Sequence, residues 1–319
     1  MGTISHLPRR DRPQPVRLGS DREAEAALAA LVDGWQGAEP SLAQRREALK
    51  LSGLTAISLC AEAGGLDCST ALLARVVRQI ESVDPGAAEA LHRHFVLIDM
   101  FREEGDERFY GQLAEQSLAG DLLMGEADAA RGTLDVRQED FQSTASGEVL
   151  LPQAALFADW LWLPAINDAA GHLVEGSALV PVRAATLETR VDGEGREHLV
   201  ARFRSAPVAH GLWARARPRL RTAVALDHLL EAARASVQLD LAGGGASPQA
   251  ALRLSLARRA LLALVQEAAA ALDHAQVAPS VDSLGQADSL CRDAALFAAD
   301  LTGHEGRFEH LATLAPGQC

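Results

Sequence analysis

The chain has 319 residues, enough for a large core shared by two or three subdomains. Its 48% hydrophobic and 23% charged content is that of a globular protein. A net charge of −13 argues against non-specific binding to nucleic acid or to an anionic membrane surface.

Residues 1–20 are basic, Pro-rich and without an apolar stretch, so they read as a disordered arm rather than a secretory signal. From Asp21 to Gly120 the apolar period is helical. DREAEAALAALVDGW carries Ala and Leu at spacings of three and four behind Ser20 or Asp21 as cap, and SLAQRREALKLS repeats the signal. Gly64-Gly65 breaks the chain. Leu72, Leu73, Val76, Val77 and Ile80 then form one helical face, which stops at Asp84-Pro85-Gly86. A further helix runs through His92, His94, Phe95, Ile98 and Phe101 to Gly105, and DERFYGQLAEQSLAG follows as another.

Near residue 121 the texture changes. GHLVEGSALVPV and REHLVARFRSAPVA alternate like half-buried strands, with Asp192-Gly193-Glu194-Gly195 as the turn between them. LPQAALFADW, residues 151–160, is apolar enough for a buried strand or a short helix. From Trp213 three long Ala- and Leu-rich helices follow, separated by Gly243-Gly244-Gly245 and by a turn between Pro279 and Gly285. The expected layout is an arm (1–20), an N-terminal helical domain (21–120), a middle β domain (121–212), a helical bundle (213–303) and a tail (304–319).

Few side chains suggest chemistry by themselves. Cys60, Cys68, Cys291 and Cys319 fit neither a zinc pattern nor a disulfide framework, so reduced thiols are expected. His304 and His310 with Glu305 and Glu309 match no metal template. Gly243–Gly245 lacks the strand and lysine of a phosphate loop, and no G-x-S-x-G elbow is present. His92 and His94, two apart on a helix, cannot share one face closely. Asp99 is expected to partner a group on the same helix.

The order helices, strands, helices gains meaning from particular residues. Gly64-Gly65 with the helix ending at Asp84-Pro85, His94-Phe95 with Asp99, Gly125 with Arg131-Gly132-Thr133, and above all ALFADW (Ala155–Trp160) with Asp168, Gly171 and Val180-Pro181 resemble the acyl-CoA dehydrogenase superfamily. Within it they resemble the branch of dibenzothiophene monooxygenase and related sulfur-acquisition flavin monooxygenases. The resemblance implies a mainly α fold with a small β-barrel, an N-terminal helical domain and a C-terminal bundle. It implies FAD or FMN held between barrel and bundle, near Gln153, Ala154, Trp160, Glu126 and Arg215. It places His94 and Phe95 at a substrate pocket.

The departures from the family pattern bear on chemistry. A Y-S-T-G segment of the branch becomes Leu151, Pro152, Gln153 and Ala154, which removes hydroxyls that would bond the flavin ring. No counterpart to the dehydrogenases' catalytic glutamate is found, so catalytic residues stay unassigned, and no metal is implied. The resemblance implies a flavin-dependent oxidoreductase, dehydrogenase or monooxygenase, acting on an acyl-CoA or another small molecule, and the lack of a secretory signal or spanning apolar run makes a cytoplasmic protein the expectation. The departures favour a flavin-free, non-catalytic paralogue that pairs with a full-length homologue. Either form is expected to be oligomeric, as a homo-oligomer or with that homologue.

Overall fold

In the computed structural model, residues 14–36, 39–104, 107–125, 131–139, 142–169, 172–191, 197–213, 221–242 and 248–302 are described. Five helices come first: α1 (Asp21–Gln36), α2 (Leu42–Leu51), α3 (Thr70–Glu81), α4 (Pro85–Glu104) and α5 (Glu107–Leu118). The strands are β1 (Leu123–Gly125), β2 (Leu134–Glu139), β3 (Gln142–Leu151), β4 (Trp160–Ala169), β5 (His172–Pro181), β6 (Ala185–Val191), β7 (Glu197–Pro207) and β8 (His210–Trp213). Helices α6 (Arg221–Ala242), α7 (Pro248–Val277) and α8 (Val281–Thr302) close the order.

Local signals explain most helix ends. The Glu23 amide donates to Ser20 Oγ at 3.3 Å, so Ser20 caps α1. Ser41 and Gln44 form a reciprocal capping box on α2. The Asp84 carboxylate accepts from the Ala87 amide at 3.0 Å, and Pro85 occupies the first position of α4, where a missing N–H costs nothing. At α8 the Ser280 and Ser283 hydroxyls each accept from the other residue's amide, at 3.0 and 2.9 Å. This cap places Gly285 inside α8, so the expected turn ends earlier, at Ser280. Trp213, expected to open the bundle, is still the last residue of β8.

Part of the expected arm lies within the described residues. Val16 donates its amide to the Leu51 carbonyl at 3.0 Å, so residues 14–20 run along the end of α2. At Gly65 an added Cβ would lie 2.3 Å from Leu59 Cβ and its carbonyl oxygen, which accounts for a glycine at this break. The five apolar residues singled out on α3 are all buried. One apolar cluster runs from α1 through the sheet to α8, and a second gathers Phe101, Phe109, Leu123 and Trp162.

The strands form one sheet in the order β6-β7-β3-β2-β4-β5-β8, with β1 paired to β4 alone. Most neighbours are antiparallel, while β2 and β1 run parallel to β4. The expected barrel is therefore corrected to an open sheet, since β6 and β8 are separate edges. The physical reason lies at the β6 edge. Glu148 accepts from Arg190 and Arg202, each at 2.7 Å, and Arg202 reaches Glu188 at 3.2 Å. Of these, Glu188 and Arg190 stand exposed on β6 itself and guard that edge against further pairing.

Candidate functional site

Helix α4 is the hub against which sheet and bundle meet. Its fully buried His94 accepts the Leu123 amide proton at Nδ1, 3.1 Å away. Nε2 must then carry the ring proton, and it donates to the Thr55 carbonyl at 2.8 Å. Burial pushes the imidazole down from 6.5 to about 4, against the two backbone bonds, so the ring is neutral. Both nitrogens of His94 are thus committed to main chain. Phe95 is fully buried, its ring edge-on to His94 at 5.8 Å. Of these two expected pocket residues, His94 bonds the main chain of Leu123 and Thr55, and Phe95 lies in the main apolar cluster.

The 151–160 stretch resolves into a crossover. Strand β3 ends at Leu151, a 3-10 turn spans Gln153–Leu156, and β4 starts at Trp160. Pro152 suits the entry because its extended φ of −68° needs no amide donor there. Ala154 and Ala155 are buried in the main core cluster. Asp159 ties the exit to β1: its carboxylate accepts the Leu122 amide at 3.1 Å, and its own amide donates to the Leu122 carbonyl at 2.8 Å. Arg46 of α2 donates to the same carboxylate at 3.2 Å, and Lys50, the only lysine, lies 4.0 Å from it while bonding Asp121. The Asp159 carboxyl is raised, chiefly by burial and despite the Leu122 amide.

Gly120 has the close approach that this arrangement needs. Its φ is +83°, and an added Cβ would lie 2.4 Å from the Lys50 carbonyl oxygen. Gly120→Ala is expected to cost roughly 2–4 kcal/mol in urea unfolding, combining left-handed strain with overpacking. A loss under about 0.5 kcal/mol would show that the backbone relaxes there.

A second polar group lies between α3, α4 and α6. His92 bonds Asp227 at 2.8 Å, while its Nδ1 is 3.9 Å from Glu231. Arg234 bonds Glu81 at 2.7 Å and Glu231 at 3.3 Å. Glu89 bonds Arg93, which also donates to the Gly125 carbonyl at 3.2 Å. Burial opposes charge on Asp227, yet the His92 bond and nearby cations hold its carboxyl below the usual range. Asp99 accepts from Thr222 of α6 at 2.7 Å and from Gln276 of α7 at 3.1 Å. Its hydrogen-bond partners come from other helices, while Arg102 of its own helix acts on it through charge.

Sequence reasoning passed over this band. The legible signal was the run Asp227, Glu231 and Arg234, at helical spacings of four and three, on an otherwise Ala- and Leu-rich helix. His92 faces it, while His94 faces β1.

For a flavin, the crossover offers one free polar group. Gln153 is exposed, with no hydrogen-bond partner among the described residues, so its amide is free to bond a heterocycle. Ala154 is packed inward, and the Trp160 indole N–H is committed to Asp121 at 3.2 Å, with the Arg183 guanidinium 5.6 Å above the ring. Glu126 and Arg215 lie outside the described residues, as do the 192–195 turn, Gly243–Gly245, His304, His310 and Cys319. Among the described residues no His, Cys, Asp and Glu group could hold a metal ion, and Cys60, Cys68 and Cys291 are free thiols.

An open sheet set between helices in chain order, and met by them through α4 and the 151–160 crossover, is an arrangement shared with solved monooxygenase structures. Three solved structures show the likeness. Methanesulfinate monooxygenase MsuC from Pseudomonas fluorescens is 18% identical at a TM-score of 0.66, covering 89% of this chain and 84% of that one. Nitrososynthase from Micromonospora carbonacea var. africana is 17% identical at 0.67, covering 90% and 84%. FMN-bound TdsC from Paenibacillus sp. A11-2, a dibenzothiophene monooxygenase, is 13% identical at 0.67, covering 91% and 85%. At these identities the likeness is one of fold. No known family profile matches the sequence, and no curated protein sequence does.

Proposed function

We propose that this chain is a flavin-dependent oxidoreductase of the monooxygenase type, using FMN and acting on a small molecule. The observation that carries the reading is the shared fold with FMN-bound TdsC over 91% of the chain. The ALFADW crossover supports it, because it is built into the junction of sheet and α4. When bound, FMN supplies the electron transfer to dioxygen that oxygenates a substrate. This chain's part is to hold the ring with the Gln153 amide and to fix the surrounding backbone through Asp159, His94 and Arg93. The monooxygenase form is preferred to acyl-CoA dehydrogenation because the proteins with this fold named above are monooxygenases or a nitrososynthase. FAD is the competing cofactor in the test.

The reading includes self-association, or association with a longer homologue, through α7. Leu252 and Leu256 are 58% and 51% exposed on that helix, which supports a contact there. Among the described residues no helix is long and apolar enough to cross a membrane.

Titration of the purified chain with FMN and with FAD, followed by absorbance and flavin fluorescence, tests the proposal. Saturable one-to-one FMN uptake is expected, and Gln153→Ala is expected to weaken it about five- to tenfold, the worth of one hydrogen bond. A protein that takes up neither flavin at saturating concentration would overturn the reading in favour of the flavin-free paralogue. Light scattering on the same sample reports association.

A further inference from the structure

Strand β1 has only three residues and pairs with β4 alone, so its ladder provides few bonds. Side chains make up the deficit. Leu122 at its entry donates to Asp159, and Leu123 donates to His94. At the other end the Gly125 carbonyl accepts from the Arg93 guanidinium, 3.2 Å away. Arg93 and His94 are consecutive residues of α4, about 100° apart around its axis. Two neighbouring side chains thus reach both ends of one short strand.

The Arg93 guanidinium is itself oriented. Glu89, one turn earlier, accepts from Nε at 3.1 Å and lies 3.0 Å from a terminal nitrogen, leaving the other terminal nitrogen for Gly125. Burial works against charge on Glu89, but Arg93 and Arg234 outweigh it and hold the carboxyl below its usual range. Arg234 belongs to α6, so a charge of the bundle acts on the carboxylate that orients Arg93. Trp162 of β4, in the second apolar cluster, pairs with Gly125 from the sheet side. A simple i, i+4 surface pair would need no carbonyl at its centre.

We propose that Arg93 is a positioning residue: oriented by Glu89, it fixes the Gly125 end of β1 at the junction of sheet and bundle and thereby presets the flavin site. The inference rests on the flavin reading given above. Arg93 acts through backbone and makes no contact with the reacting atoms.

The test uses the full chain as Arg93→Gln, Arg93→Lys and Glu89→Gln, with two readouts. Amide hydrogen exchange at Met124 and Gly125 reports the strand without flavin. Fluorescence titration with FMN reports the site. Arg93→Gln is expected to speed exchange at these amides at least tenfold and to weaken FMN binding about tenfold, while exchange in α3 and α8 stays as in the parent. Arg93→Lys keeps one donor for Gly125 and is expected to restore most of both effects. Glu89→Gln is expected to shift both readouts in the same direction by less. Exchange within twofold of the parent in Arg93→Gln would overturn the proposal. Faster exchange with unchanged FMN affinity would overturn the positioning role. A parent that takes up no FMN removes the flavin reading and the positioning role with it, while exchange still decides whether Arg93 holds the strand.

Discussion

Arg234→Met is expected to lower the unfolding free energy by about 3–5 kcal/mol, the cost of leaving a buried charge without its partner. The Glu81 and Arg234 side chains are 5% and 10% exposed and bond at 2.7 Å. Burial raises the Glu81 carboxyl even with the guanidinium in place. Without Arg234 it must either stay ionised in an apolar setting or take up a proton. An acid whose folded-state pKa is raised destabilises the fold when ionised, and this deficit fades as pH falls toward its unfolded value. The variant should therefore lose more at pH 8 than at pH 5. The double variant Glu81→Leu/Arg234→Met removes both charges and is expected to recover most of the loss, because a packed apolar pair replaces an ion pair with little penalty. Urea unfolding of the parent, Arg234→Met, Glu81→Leu and the double variant gives the cycle. A single-variant loss below about 1 kcal/mol would mean that Glu231 or water satisfies Glu81 instead.

The two ends of the chain were legible for a simple reason. Long helices repeat their apolar period over several turns, so α1, α3, α4, α6 and α8 stand out from residue spacing alone. Strands β5 and β7 alternate for ten or so residues and were found as well. The 151–160 run was ambiguous because its inward alanines, Ala154 and Ala155, pack in a single 3-10 turn too short to show a period. Closure of the sheet depends on what each edge meets in space, and no local pattern encodes that. The division of the two histidines between sheet and bundle has the same origin. Two positions on a helix point about 200° apart, so one must face the sheet and the other the bundle. Which of them holds charge partners is decided by Asp227 and Glu231, far along the chain on α6. The fold resemblance carried by ALFADW agrees with the solved structures, while of the site it implied Glu126 and Arg215 lie outside the described residues.

His94 yields a prediction whose sign follows from burial. Its folded-state value is about 4, against 6.5 for the unfolded ring. Between those values the unfolded chain binds a proton that the folded chain refuses. Stability contributed by the neutral ring is therefore complete above about pH 6.5 and drains away as pH falls toward 4, by up to roughly 3 kcal/mol. The carboxyls of buried Asp99 and half-buried Asp159, both raised, work in the opposite direction, so the parent's pH profile alone is ambiguous. The substitution His94→Asn separates the terms. The amide side chain it introduces keeps an acceptor for the Leu123 amide but has no titrating group, and it loses the Thr55 bond. At pH 7 the variant is expected to be less stable than the parent by about 2–3 kcal/mol, from a lost buried hydrogen bond and a partial cavity. As pH falls to 4 the gap should close, because only the parent is penalised by protonation of its unfolded state. Parallel pH profiles would show that the imidazole becomes charged in place, and that its hold on β1 does not depend on neutrality.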